Sequence, residues 1–196
     1  MSFQFRNDSG ETIPPYAVMK HVSTEKVDHE PLLIMDKPSG ELHRLWYING
    51  PASVRDGDFG LCHHNMGEDY LENPVLVSGS PTVGKQYGPS PSQWYIAAGG
   101  LGFDVKSESV NHGGGINTVY ARQREVTMLD CINTASSAGS LSSSIAAVLS
   151  VGSSTVNFTL AVYPSHIDGG EIAVNSELVA IWLDKWRIIG RGCNDA

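Results

Sequence analysis

The chain has 196 residues, 41% of them apolar, with 21 glycines and 10 prolines, which is enough to bury a core but disfavours long helices. A formal charge of −8 and a pI near 5.2 argue against nucleic acid as a main partner, because a phosphate-binding face needs an excess of Lys and Arg. No run of about 18 apolar residues offers a membrane span, and the opening Met1–Asp8 lacks the basic and apolar segments of a signal peptide, so a soluble, non-secreted module is expected.

Taken in order, the chain reads as short strands divided by turns. Phe3-Gln4-Phe5 alternates as a strand does, and Asn7-Asp8-Ser9-Gly10-Glu11 supplies a turn. Pro14 and Pro15 stiffen the entry to an apolar strand ending near Val22 and place its start at a sheet edge. Leu32–Met35 and Leu42–Ile48 are further strands, and Asp56-Gly57 is a turn between extended pieces. Turn signals recur roughly every 8 to 15 residues over the first half, the cadence of small barrels and sandwiches.

Gly84–Tyr95 is a Gly/Pro corner closing on adjacent aromatics. Pro89 and Pro91 fix φ and bias their predecessors toward extended geometry, so the segment delivers Trp94 as a rigid arm. Trp94 and Tyr95 are neighbours on an extended chain, so one is expected inside and the other outside. Gly113-Gly114-Gly115 costs heavily in entropy when ordered and marks the expected boundary between domains. Asn117–Cys131 is a strand or strand pair.

The Ser/Ala/Gly-rich stretch 134–155 has both a helical and a strand reading. The strand is preferred, because Val156–Tyr163 follows as an alternating partner across Gly152. Leu178–Leu183, Asp184-Lys185 and Trp186–Ile189 form a terminal hairpin. The expected fold is all-β: a small β-barrel or sandwich domain over 1–110, then a second β-sandwich-like unit over 116–196.

No constellation points to catalysis or to a bound cofactor. The adjacent His63 and His64 would point to opposite faces of a strand, which disfavours a shared metal. Glu68, Asp69 and Glu72 read as a solvated acidic loop, and no G-x-S-x-G elbow occurs. Cys62, Cys131 and Cys193 are widely spaced, which favours free thiols over a disulfide framework and leaves an intermolecular bridge as the alternative. Trp46, Trp182 and Trp186 fit cross-strand packing. An outward aromatic on the rigid corner suits a protein interface, which makes Tyr87, Pro89, Pro91, Trp94 and Tyr95 the candidate partner-binding residues.

Arg6–Met19, with its N-x-S-G-E-T-I-P-x-Y-A-V-M pattern, resembles the opening of small virion-associated proteins of tailed bacteriophages. Asn49-Gly50-Pro51 followed by Val54, Gly57 and Gly60, the Gly88-Pro89-x-Pro91-x-x-Trp94 corner, and the Val179–Ile189 hairpin are similar in the same order. The resemblance implies a structural protein of the virion, assembled in the host cytoplasm as a homo-oligomer, with a trimer favoured. It implies a head decoration, neck or collar fibre, or tail component that binds other virion subunits and carries no catalytic residue. A tail-tip protein that binds host surface carbohydrate is the alternative.

Overall fold

The computed structural model describes residues 2–28, 30–39, 45–64, 74–124, 128–134, 137–138, 144–149, 157–161, 171–183 and 186–191. The described residues contain strands, turns and bends and no helix, so the all-β expectation holds. The chain divides into two compact units, Met1–Ser39 with Leu45–Glu125, and Val126–Ala196 with the short stretch Gly40–Arg44.

The first unit opens with a closed five-stranded barrel of β1 (Ser2–Asn7), β2 (Val18–Val27), β3 (Glu30–Asp36), β4 (Tyr47–Asn49) and β5 (Phe59–His63). Its ring order is β1-β3-β2-β4-β5, with β1 and β3 parallel and the other pairs antiparallel. The two-residue side-chain period of β1 decides its orientation: Phe5 and Asn7 are buried inside while Gln4 is exposed outside. Phe5, Met19, Met35 and Cys62 meet in the interior. Closure leaves no free edge in this ring.

A second sheet follows in the same unit, made of β6 (Pro74–Leu76), β7 (Gln86–Pro89), β8 (Ile96–Ala98), β9 (Phe103–Val105), β10 (Val110–Asn111) and β11 (Asn117–Gln123). Its order is β10-β11-β9-β7-β8, with β6 on the other side of β11. A parallel bridge from Val77 to Ile96 joins the two ends, so the sheet curls around Val75, Ile96, Phe103, Val105 and Val119. Trp46 and Ile48 from the barrel side complete that core. Trp46 directly precedes β4, so the strand expected over Leu42–Ile48 is shifted toward Asn49; residues 40–44 lie outside the described set.

The second unit is also a closed barrel, of β12 (Met128–Asn133), β14 (Ser144–Leu149), β15 (Asn157–Ala161), β17 (Glu177–Trp182) and β18 (Trp186–Arg191). A two-stranded ribbon of β13 (Ser137–Ala138) and β16 (Glu171–Ile172) accompanies it. The unit expected to be sandwich-like closes into a ring because β12 pairs with both β14 and β17. The strand expected within 134–155 is present as β14, and the terminal hairpin is present in register Trp182↔Trp186, which leaves three residues between the paired tryptophans where a two-residue turn was expected.

The two barrels share one ring order under circular permutation. In the second unit the strands by chain order run first-second-third-fifth-fourth, with third and fifth parallel. Counted from β4 through β5, β1, β2 and β3, the first barrel gives the same sequence and the same parallel pair, β1 with β3.

The boundary falls at Glu125–Val126 and not at the triglycine. Gly113, Gly114 and Gly115 have φ of 83°, 60° and 82° and reverse β10 into β11. Three successive left-handed residues are readily available only to glycine, so the run builds a tight turn inside the first unit.

Candidate interaction surface

Three of the four segments singled out in the sequence, Arg6–Met19, Asn49–Gly60 and Gly88–Trp94, lie apart in the chain and meet in the first unit, while the fourth, Val179–Ile189, belongs to the second. Asn7 is fully buried at the end of β1. Its amide Nδ2 donates to the carbonyl oxygens of Glu11 (2.6 Å) and Val54 (2.9 Å), while Oδ1 accepts from the backbone N–H and hydroxyl of Ser9 (3.0 and 2.7 Å). This Asx-type turn sends the chain around Gly10, at φ 77°, into Ile13, which exchanges both backbone hydrogen bonds with Val54.

Asn49 does the same work on the other side. Its Nδ2 donates to the carbonyls of Pro14 (2.8 Å) and Ala52 (2.9 Å), and the Gly50 carbonyl accepts from the N–H of Tyr16. Gly60 is required by contact: a Cβ there would lie 2.6 Å from the Phe5 ring. Both asparagines read as ordinary turn residues in the sequence. The signal that marks Asn7 is the N-x-S-G spacing at the end of an alternating strand, which is an Asx turn before a left-handed glycine.

The Gly/Pro corner joins the same framework. The N–H of Val18 donates to the Trp94 carbonyl (2.8 Å), and that of Ser92 donates to the Pro38 carbonyl (2.7 Å). Trp94 is 8% exposed and packs with Phe5, Met19 and Met35. Tyr87 is buried too, and its hydroxyl accepts from the N–H of Thr82 (3.0 Å). Tyr95 and Pro89 are half-buried, and Pro91 is exposed with Ser92 and Gln93. Of the five candidate residues, then, Trp94 and Tyr87 face the core, and the part of the corner open to a partner is its Pro91–Gln93 tip with the flank of Tyr95. The one-in, one-out expectation for Trp94 and Tyr95 is met with Trp94 inside.

Charge closes the rim beside Trp94. Lys37 reaches Glu11 at 2.5 Å while its ammonium lies 5.5 Å from the Trp94 ring centroid. That hydrogen bond holds the Glu11 carboxyl below its ordinary range. Arg6 bridges Asp8 and Glu25 at 2.7 and 2.8 Å, which depresses the Asp8 pKa in the same way.

At the other end of the barrel interior, Phe3, Tyr47 and His64 pack edge to face and tilted, with centroids 5.7 to 6.3 Å apart. Burial lowers the His64 pKa, so this imidazole is neutral at physiological pH, and burial raises that of Tyr47. No group of three potential metal ligands occurs among the described residues. The acidic loop Glu68, Asp69 and Glu72 lies outside the described residues. Cys62 and Cys131 are free thiols, buried in the first and second barrel respectively, and Cys193 lies outside the described set.

Within the Ser/Ala/Gly stretch, β14 is an internal strand between β12 and β15, with Ala147 fully buried. No helix among the described residues is long and apolar enough to cross a membrane. Comparison with protein-family models, with curated proteins and with solved structures gives no match for this chain.

Proposed function

We propose that this chain is a structural component of a tailed-bacteriophage particle: an oligomeric head decoration, neck fibre or collar part that binds other virion subunits by shape. The observation that carries the reading is the convergence just described. Arg6–Met19, Asn49–Gly60 and Gly88–Trp94 are three of the four segments whose sequence resembles virion-associated proteins, and here they interlock through Asn7, Asn49 and the Trp94 carbonyl into one framework; the fourth, Val179–Ile189, lies in the second unit. Residues of that kind specify a rigid part rather than a reaction.

A homo-oligomer, with a trimer favoured, follows from the same reading. The glycan-binding alternative relies on exposed rings, and the burial of Trp94 and Tyr87 removes two of them. Mass spectrometry of purified particles tests the proposal. The chain is expected in fixed copy number relative to the major shell protein, and its absence from washed particles would overturn the reading.

A further inference from the structure

The outer face of the first barrel carries a groove of about 340 Å³ between the β2–β3 hairpin and β5, lined by Gln4, Val27, Asp28, Glu30, Leu32 and Phe59. Strand register explains its apolar floor. Leu61 stands opposite Gln4 across β5 and β1, and Phe59, Arg6 and Ile34 form the next row across β5, β1 and β3. Leu32 and Ile34 are buried, whereas Phe59 is 57% and Leu61 is 62% exposed. Glu30 stands opposite Val27, so apolar and acidic groups share the rim. A barrel face turned to water would alternate toward polar groups at these places.

The second sheet of the same unit carries the complement. On the outward side of β7, β9 and β11, Gln86, Asp104 and Arg122 form one row. Arg124 reaches Asp104 at 2.5 Å and Lys106 stands 3.9 Å away, both with largely exposed side chains. Lys85 is exposed at the start of β7, and Tyr120, 39% exposed, adds a ring on β11. In a chain of net charge −8, Arg124 and Lys106 on the Asp104 carboxylate, with Arg122 beside it in register and Lys85 near by in the chain, make a local positive face with an aromatic beside it.

We infer that the acidic, apolar groove receives the basic, aromatic face of a second copy of this chain. The argument for that occupant is charge complementarity: Asp28 and Glu30 at the groove meet Lys85 and Lys106 at the face, while Phe59 and Leu61 supply the apolar area that such a contact needs. Groove and face are different surfaces, so the contact is heterologous, and repetition of it about an axis closes a ring. This deepens the proposed virion role, on which its biological meaning rests.

Sedimentation equilibrium of the full chain tests the contact. Wild type is expected to exceed the protomer mass of 21.1 kDa, and its association is expected to weaken with added salt. Asp28→Asn with Glu30→Lys is the groove variant. Asn is chosen at position 28 because Asp28 has φ 48°, which Asn tolerates. Lys85→Glu with Lys106→Glu is the face variant. Each should weaken self-association at least tenfold while keeping the wild-type circular dichroism, and an equimolar mixture should recover association between unlike chains, because the groove of each variant then meets an opposite charge on the other. Phe59→Ser, which alters no charge, should weaken association on its own.

A wild type that stays at the protomer mass would overturn the inference, as would groove variants of unchanged mass or a mixture in which the two variants do not associate with one another. If the chain is nevertheless found in particles, the virion reading survives and the self-contact alone is lost. If it self-associates as described but is absent from particles, the opposite holds.

Discussion

Gly88 and Gly100 cross with their backbones in contact: a Cβ built on Gly100 would lie 2.5 Å from the Cα of Gly88. Neither backbone can yield cheaply, since Gly88 is within β7 and Gly100 lies between β8 and β9, the two strands paired with it. Gly100→Ala should therefore destabilise the first unit by about 2 kcal/mol or more. Gly10→Ala is the control, because Gly10 has a positive φ but open space around its Cα. It should cost only the left-handed strain, about 1 kcal/mol. Urea denaturation of both variants checks the order, and an equal loss for the two would contradict the crossing.

Asn7 is satisfied on both sides of its amide inside a fully buried site. Asn7→Ala leaves the buried Val54 carbonyl without its side-chain donor and frees Ser9, for a loss of about 2–3 kcal/mol. Asn7→Asp keeps the acceptor that Ser9 needs but turns a carboxylate on the carbonyls of Glu11 and Val54. At neutral pH it should be at least as damaging as the alanine. Urea midpoints at pH 7 for the three proteins decide it; an Asp variant as stable as wild type would mean that the carbonyl contacts do not matter.

These two sites show what the sequence exposes and what it hides. The terminal hairpin is legible because two apolar runs that each carry a tryptophan stand close in the chain, and Trp182 and Trp186 pair directly with three residues between them, their rings 5.4 Å apart. The 144–149 strand is legible through its alternating partner. The triglycine misleads because a glycine run means either slack chain or a left-handed turn, and the choice depends on whether Asn111 and Ile116 tie the turn down, as they do here. Asn7 and Asn49 look like surface turn residues, since burial of an amide depends on distant carbonyls at Val54 and Pro14. The shared ring order of the two barrels leaves no local pattern, because circular permutation moves the parallel pair from third and fifth strands to first and third.

Acid should destabilise the protein, and three groups set two windows: His64 the upper one, and Glu11 together with Asp8, whose pKa the Arg6 hydrogen bond lowers, the lower one. Glu11 has its folded pKa held below the ordinary value of about 4.3 by the Lys37 hydrogen bond. Its contribution is therefore complete above that value and is lost as pH falls toward the folded pKa. Burial lowers the His64 pKa below its ordinary value of about 6.5, which favours the neutral ring in the folded state. That contribution is present above about pH 6.5 and is lost as pH falls further. Melting temperature should drop in two stages on acidification. His64→Phe should flatten the upper stage and Glu11→Gln the lower one, the latter weakly because the pair is exposed and screened by salt. A His64→Phe profile superimposable on wild type between pH 7 and 5 would rule out the upper assignment.

The thiols give the last prediction and bear directly on assembly. Burial pushes both Cys62 and Cys131 up to about 12, and the thiolate is the form that attacks a disulfide reagent. At pH 8 the thiolate fraction of each is then on the order of 10³-fold below that of an open thiol of pKa near 8.5, so each should react more slowly even before access is considered. Cys193→Ser leaves just these two. With an aromatic disulfide reagent that variant should show no fast phase when native and two equivalents after urea. A fast native equivalent would place one thiol at the surface and reopen a cross-link between subunits through it. Slow release of both means that any covalent bridge in an assembly has to run through Cys193 and not through Cys62 or Cys131.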